Sequence, residues 1–259
     1  MLFEKVSNLK IIIVLYYMIF SNILLFISSF NLFFYLIDKF ICVPIIFKVN
    51  RSIINNKNNF GRTRWYILHF FINILCSITS FNGIYLSLQN VYTSLNPIKF
   101  AEPYTIDWLL GPTSPIPTLL VASSHIYHLI FFTTSKSDIY HHLFFALSMT
   151  SMNMIGDYGY ARNIVTFVLC GVPGIIEYCI MSFYKLGFLR KKIMRYLVTL
   201  MHCTLRLPLG IIVSYSLLYQ VFFNTKVYNP ILTFIISTLS LINVFQYCCL
   251  LYTSPSPRD

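Results

Sequence analysis

Long apolar runs separated by short polar breaks dominate this chain, and the runs are of helical rather than strand length. From Ile11 to Ile37 nearly every position is apolar, and about 20 such residues cross a hydrocarbon layer of about 30 Å as a helix. No small-residue cleavage site follows the run, so a retained first helix is expected rather than a signal peptide. Asp38 and Lys39 lead into a shorter apolar stretch to Phe47, either a continuation of that helix or an interfacial segment. Lys48, Arg51, Lys57, Arg62 and Arg64 then follow without an acid, around an Asn-rich centre with no apolar periodicity, which predicts a solvated loop.

A second helix is predicted from about Trp65 to Val91, with Trp65 and Tyr66 where aromatic rings favour the membrane interface. Five prolines from Pro97 to Pro117, with Glu102, Asp107 and Trp108, make the next stretch too broken to span, so it is expected to be an ordered loop or re-entrant cap. A helical hairpin follows, from about Pro117 to Thr134 and from about Ile139 to Ile155, joined by a turn holding Lys136 and Asp138. Beyond the turn Gly156-Asp157-Tyr158-Gly159, a fifth helix spans about Arg162 to Tyr184 and is expected to bend at Gly171-Val172-Pro173-Gly174. A sixth follows the basic stretch Lys185 to Arg195 and runs to about Phe223, with Pro208-Leu209-Gly210 as a second break, and a seventh runs from Pro230 to about Tyr247.

The pattern predicts an all-α, polytopic transmembrane bundle of about seven spans, without internal repeats. Residues 1–64 hold the first helix and a basic loop, and 65–248 the main membrane domain. Residues 249–259 resemble translated sequencing-adaptor nucleotides and are expected to be an artefactual tail.

Composition agrees with that pattern. The chain is 57% hydrophobic and 10% charged, with mean hydropathy +0.69, against about 45–50% apolar and 25% charged in soluble domains. The net charge of +11 does not point to nucleic acid, because its bases are dispersed between apolar runs. They act instead as topology signals. Lys48, Arg51, Lys57, Arg62, Arg64, Lys136, Lys185, Arg190, Lys191, Lys192 and Arg195 fall on one side and outnumber Lys5, Lys10, Lys99, Arg162 and Lys226 on the other. The positive-inside rule then places the N-terminus lumenal or outside. Seven cysteines, several within apolar runs, imply no disulfide framework.

Four of the six histidines lie in the hairpin, at His125, His128, His141 and His142. At about 1.5 Å of rise per residue, His142 lies about 5 Å below the cytoplasmic face, His128 about 9 Å, Glu177 about 10 Å, His202 about 12 Å, His125 about 14 Å and Arg206 about 18 Å. Ionisable residues at such depths face the bundle interior and find partners, which predicts a polar cavity open toward the cytoplasm. Three chemistries could use it. A histidine, His141 or His142, could be general base or acyl carrier with Asp138 or Glu177 as orienting acid. His125, His128 and His141 or His142 with Glu177 could ligate zinc, although neither metal nor cofactor is assigned. The cavity could instead only bind a lipid headgroup, with His125, His128, His202 and Arg206 as contacts.

The Ser-His-x-x-His of the third helix, the Asp-x-x-His-His opening the fourth and the Cys-Gly-Val-Pro-Gly break of the fifth together resemble the TLC domain superfamily, over about residues 60–247. The resemblance implies a bundle of six or seven helices around a lipid-accessible cavity in the endoplasmic reticulum or another endomembrane. It also implies a role in lipid metabolism, binding or homeostasis, with membrane lipids and acyl-CoA as partners. In the ceramide synthase branch a double histidine serves N-acyl transfer, a role that would fall here on His141 and His142. That branch carries Leu-His-Asp-x-x-Asp on its next helix, whereas here Glu177 is the acid of the corresponding stretch.

Overall fold

The computed structural model describes residues 21–94, 114–143, 150–151, 161–223 and 230–253. The start of the first helix, the proline-rich segment, most of the fourth helix and the end of the expected tail lie outside the described residues. Those described are helical, with no strand among them.

Helix α1 (21–37) continues through a wide π-helical turn at Asp38–Cys42 into α2 (Val43–Val49), so the shorter apolar stretch extends the first helix. A 3-10 turn at Arg51–Asn55 leads to α3, Lys57–Ser94. The expected solvated loop is therefore mostly helical, and α3 begins about two turns before Trp65. Asn56 explains the early start. Its side-chain Oδ1 accepts from the Asn59 backbone N–H at 3.1 Å, capping donors that a helix N-terminus leaves unmatched.

Helix α4 (Ile116–Phe131) and the short α5 (Lys136–Tyr140), which widens into a π turn over 141–143, carry the histidine hairpin. Helices α6 (Ala161–Cys170) and α7 (Val172–Leu186) meet at Gly171 in the expected bend. Gly187, at φ 93°, ends α7 with the Gly187 and Phe188 N–H groups donating back to the Tyr184 and Phe183 carbonyls. Helix α8 (Lys191–Met201) passes through a π turn at His202–Arg206 into α9 (Leu207–Phe223). The break expected at Pro208 is thus a widening just before the proline. Helix α10 (Pro230–Thr253) completes the set and runs past Tyr247 into the expected tail.

Helix α3 is the spine, packed against α4, α6 and α7, while α9 pairs with α10 and touches α6. Lys57–Leu86, Arg162–Leu186 and Lys191–Tyr219 are each long and apolar enough to cross a membrane, and Ile116–Phe131 and Pro230–Gln246 are shorter apolar helices. Large apolar side chains such as Leu25, Phe40, Ile78, Ile130, Ile212 and Phe222 face outward, while Asn73, His125, Asn163, Glu177 and Arg206 are buried. Soluble proteins bury charge only rarely. A polar interior under an apolar exterior is the arrangement of a protein immersed in lipid.

Candidate functional site

Helix α4 turns one face inward, burying Ser124, His125, Tyr127 and His128. His125 and His128 lie three residues apart and so share a side of the helix. The turn after α5 places His142 between them. Its Nδ1 is 2.7 Å from Nδ1 of His125, and its Nε2 is 2.8 Å from Nδ1 of His128. The three imidazoles thus form one hydrogen-bonded chain. A neutral ring has one N–H and one lone pair, so His142 donates to one neighbour and accepts from the other. Fixing the direction of one bond fixes the other.

His125, placed deepest of the histidines by the rise along the helix, proves to be a direct partner of His142. The depth scale assumes upright helices entering at one level, and the wide turn carrying His142 brings it level with His125. Asp138 lies in a capping box at the start of α5. Its carboxylate accepts from the Ser135 N–H at 2.9 Å and from the Ser135 hydroxyl at 2.7 Å, while the Asp138 N–H donates to that hydroxyl.

Helix α3 adds aromatic walls that the motif did not reveal. Trp65 lies nearly flat on His128, with ring centroids 3.8 Å apart and planes 26° apart, and meets His69 edge-on. His69 in turn stacks on Tyr178 of α7, at 4.4 Å and 19°. His69 has no histidine near it in sequence, but an ionisable residue inside a predicted span was itself a signal.

A second polar group faces the first. Glu177 Oε2 is 2.9 Å from Arg206 Nη1, and Glu177 Oε1 is 3.6 Å from His202 Nε2. Arg206 also donates through Nη2 to the Leu169 carbonyl at 3.3 Å. That acceptor exists because of Pro173. In an unbroken helix the residue-173 N–H would bond the Leu169 carbonyl, but proline has no N–H to give.

Both groups border a cavity of about 90 Å³, whose lining includes His69, His125, His141, Asn73, Glu177 and Arg206. His142, His128 and His202 do not line it. Of the predicted residues, His125, His141, Glu177 and Arg206 therefore meet at one cavity, with His142 and His128 behind His125. Among the described residues, no group of three or more His, Cys, Asp or Glu is arranged to hold a metal ion.

A third polar group lies outside the cavity. Asp38 receives a two-pronged contact from Arg64, with Nε to Oδ1 at 2.9 Å, and the Tyr127 hydroxyl donates to its Oδ2 at 3.2 Å. Arg64 also lies over the Phe60 and Phe132 rings. Arg64, expected as a solvated loop charge, instead ties α1 to α3 and α4. No protein-family model, curated protein or solved structure matches this chain.

Proposed function

We propose that this chain is a TLC-like, multi-pass endomembrane protein that takes the polar end of a membrane lipid into the cavity and transfers an acyl group to it from acyl-CoA. The observation that carries this reading is the imidazole chain that ends on the cavity wall at His125. With its Nδ1 bonded to His142, His125 keeps Nε2 for a substrate. As an amine attacks the thioester carbonyl, the N–C bond forms and the amine proton passes to that nitrogen. The C–S bond then breaks and the leaving thiolate takes a proton. His141, also at the wall, is the second imidazole within reach, as acid or acyl carrier. Arg206, held by Glu177 and the Leu169 carbonyl, offers fixed positive charge to the developing oxyanion. The endoplasmic reticulum setting and the cytoplasmic placement of the basic loops follow from the resemblance and from the charge pattern.

A second reading, lipid binding or sensing without turnover, is favoured by the cavity's size. At 90 Å³ it has room for about six waters, enough for a polar headgroup tip but not for an acyl chain. Protein reconstituted in bilayers and supplied with labelled acyl-CoA and a long-chain base decides between them. An amide product that falls by about 10²–10⁴-fold in His125→Ala and His141→Ala supports transfer. Retained lipid without product in the wild type supports binding alone.

A further inference from the structure

Several polar side chains at the cavity wall are already committed within the protein. Ser124 donates to the Val121 carbonyl at 2.8 Å, and Thr166 donates to the Arg162 carbonyl at 3.0 Å. Arg206 is paired with Glu177 at 2.9 Å and donates to the Leu169 carbonyl.

Three neutral side chains of the same wall are not committed. Nδ1 of His69 and Oδ1 of Asn243 are buried without a hydrogen-bond partner. Asn73 accepts from Ser77 through its backbone carbonyl, and no described residue bonds its side-chain amide. All three are more than nine-tenths buried, with His69 6%, Asn73 3% and Asn243 8% exposed. His69 and Asn73 are four residues apart on α3 and so share one of its faces, while Asn243 comes from α10. The faces of the His69 ring are taken by Tyr178, stacked at 4.4 Å, and Trp65. Its nitrogens lie in the ring plane, so that packing fixes the ring without supplying a partner. A buried polar atom without a partner is destabilising, and a ligand that brings the partner recovers the loss.

We infer that His69, Asn73 and Asn243 form a hydroxyl-binding subsite, so that the polar end of the lipid carries hydroxyl groups rather than a phosphate. This rests on the reading that a lipid's polar end enters the cavity, and not on acyl transfer. An asparagine amide presents both donors and an acceptor, and a neutral imidazole presents one of each. A hydroxyl both donates and accepts, so it satisfies any of these groups in either tautomer or amide orientation. A phosphate only accepts, and it would have to displace Glu177 to reach the guanidinium of Arg206.

The test measures binding to the full chain in phosphatidylcholine bilayers. A tritiated long-chain base with two hydroxyls is displaced by itself, by the same base without hydroxyls and by the base phosphorylated on one hydroxyl. Affinity should fall about fivefold for each hydroxyl lost, and the phosphorylated base should bind more weakly than its parent. His69→Phe keeps the stack on Tyr178 while losing the nitrogens, and Asn73→Leu and Asn243→Leu replace each amide by an apolar group of similar shape. Each variant should cut the preference for the dihydroxy base over the hydroxyl-free base about fivefold, whereas a packing defect alone would weaken both bases alike. Equal binding of these two bases by the wild type, tighter binding of the phosphorylated base, or a preference unchanged in the three variants overturns the inference. If the wild type retains no base, lipid entry fails and the inference fails with it. If it selects the dihydroxy base yet forms no amide with acyl-CoA, the subsite stands and only the acyl-transfer reading fails.

Discussion

Removing one side of a buried ion pair strands the other, at a cost of about 3–5 kcal/mol, whereas replacing both by apolar groups of similar volume is far milder. Asp38 is fully buried beneath Arg64 and Tyr127, so Arg64→Met should lower stability by about 3 kcal/mol. Asp38→Leu with Arg64→Met should recover most of that loss, as read from thermal unfolding in bilayers. The Glu177–Arg206 pair obeys the same arithmetic for folding but not for the site. Glu177→Gln with Arg206→Met should fold at near wild-type stability and yet lose the lipid product, which separates a structural pair from a working one. These residues were legible to different degrees. Glu177 and Arg206 stood out because charge inside an apolar run is costly wherever it lies. Arg64 did not, because its partner Asp38 is on another helix and its sequence neighbours are other bases.

At the scale of elements, prolines set the shape of this interior. Pro44 and Pro208 each follow a π-helical turn by two residues, and each turn presents a buried charge, Asp38 in the first and Arg206 in the second. A proline cannot donate to the carbonyl four residues back, and a widened turn is one way for a helix to absorb the loss. Pro173 works differently, freeing the Leu169 carbonyl for Arg206. Pro173→Ala should therefore leave the fold as stable or more stable but weaken the grip on Arg206. The lost bond is worth about 1 kcal/mol, so about a fivefold loss of product is expected in the reconstituted assay. Gly174 lets α7 approach α3 so closely that an added Cβ would collide with the buried Asn73 amide. Gly174→Val should destabilise by about 1–3 kcal/mol in thermal unfolding. The bend at 171–174 was readable because Pro and Gly announce themselves. The start of α3 was not, since an Asn-rich stretch looks like a loop until one asparagine is seen to cap the helix.

For the whole molecule, the apolar exterior and polar interior follow from composition, while the meeting of α3, α4, α6, α7, α10 and the turn before α9 at one cavity does not. The rise along each helix placed the ionisable residues at similar depths, but rotation about each helix axis decides which side chains touch. That is why His69 and Trp65 entered only with the packing of α3. Orientation belongs to this scale as well. A cysteine introduced as Phe188→Cys, in the turn between α7 and α8, should react with a membrane-impermeant maleimide from the cytoplasmic face alone. Labelling from the lumenal face would reverse the topology. The most direct test of the central claim, that the cavity receives the polar end of a lipid, is photo-crosslinking with a long-chain base whose diazirine sits next to its amine. Adducts on cavity-lining residues such as Asn73, His125 and Tyr178 are the predicted result. Adducts confined to outward-facing residues such as Phe40, Ile78 and Ile212 would contradict it.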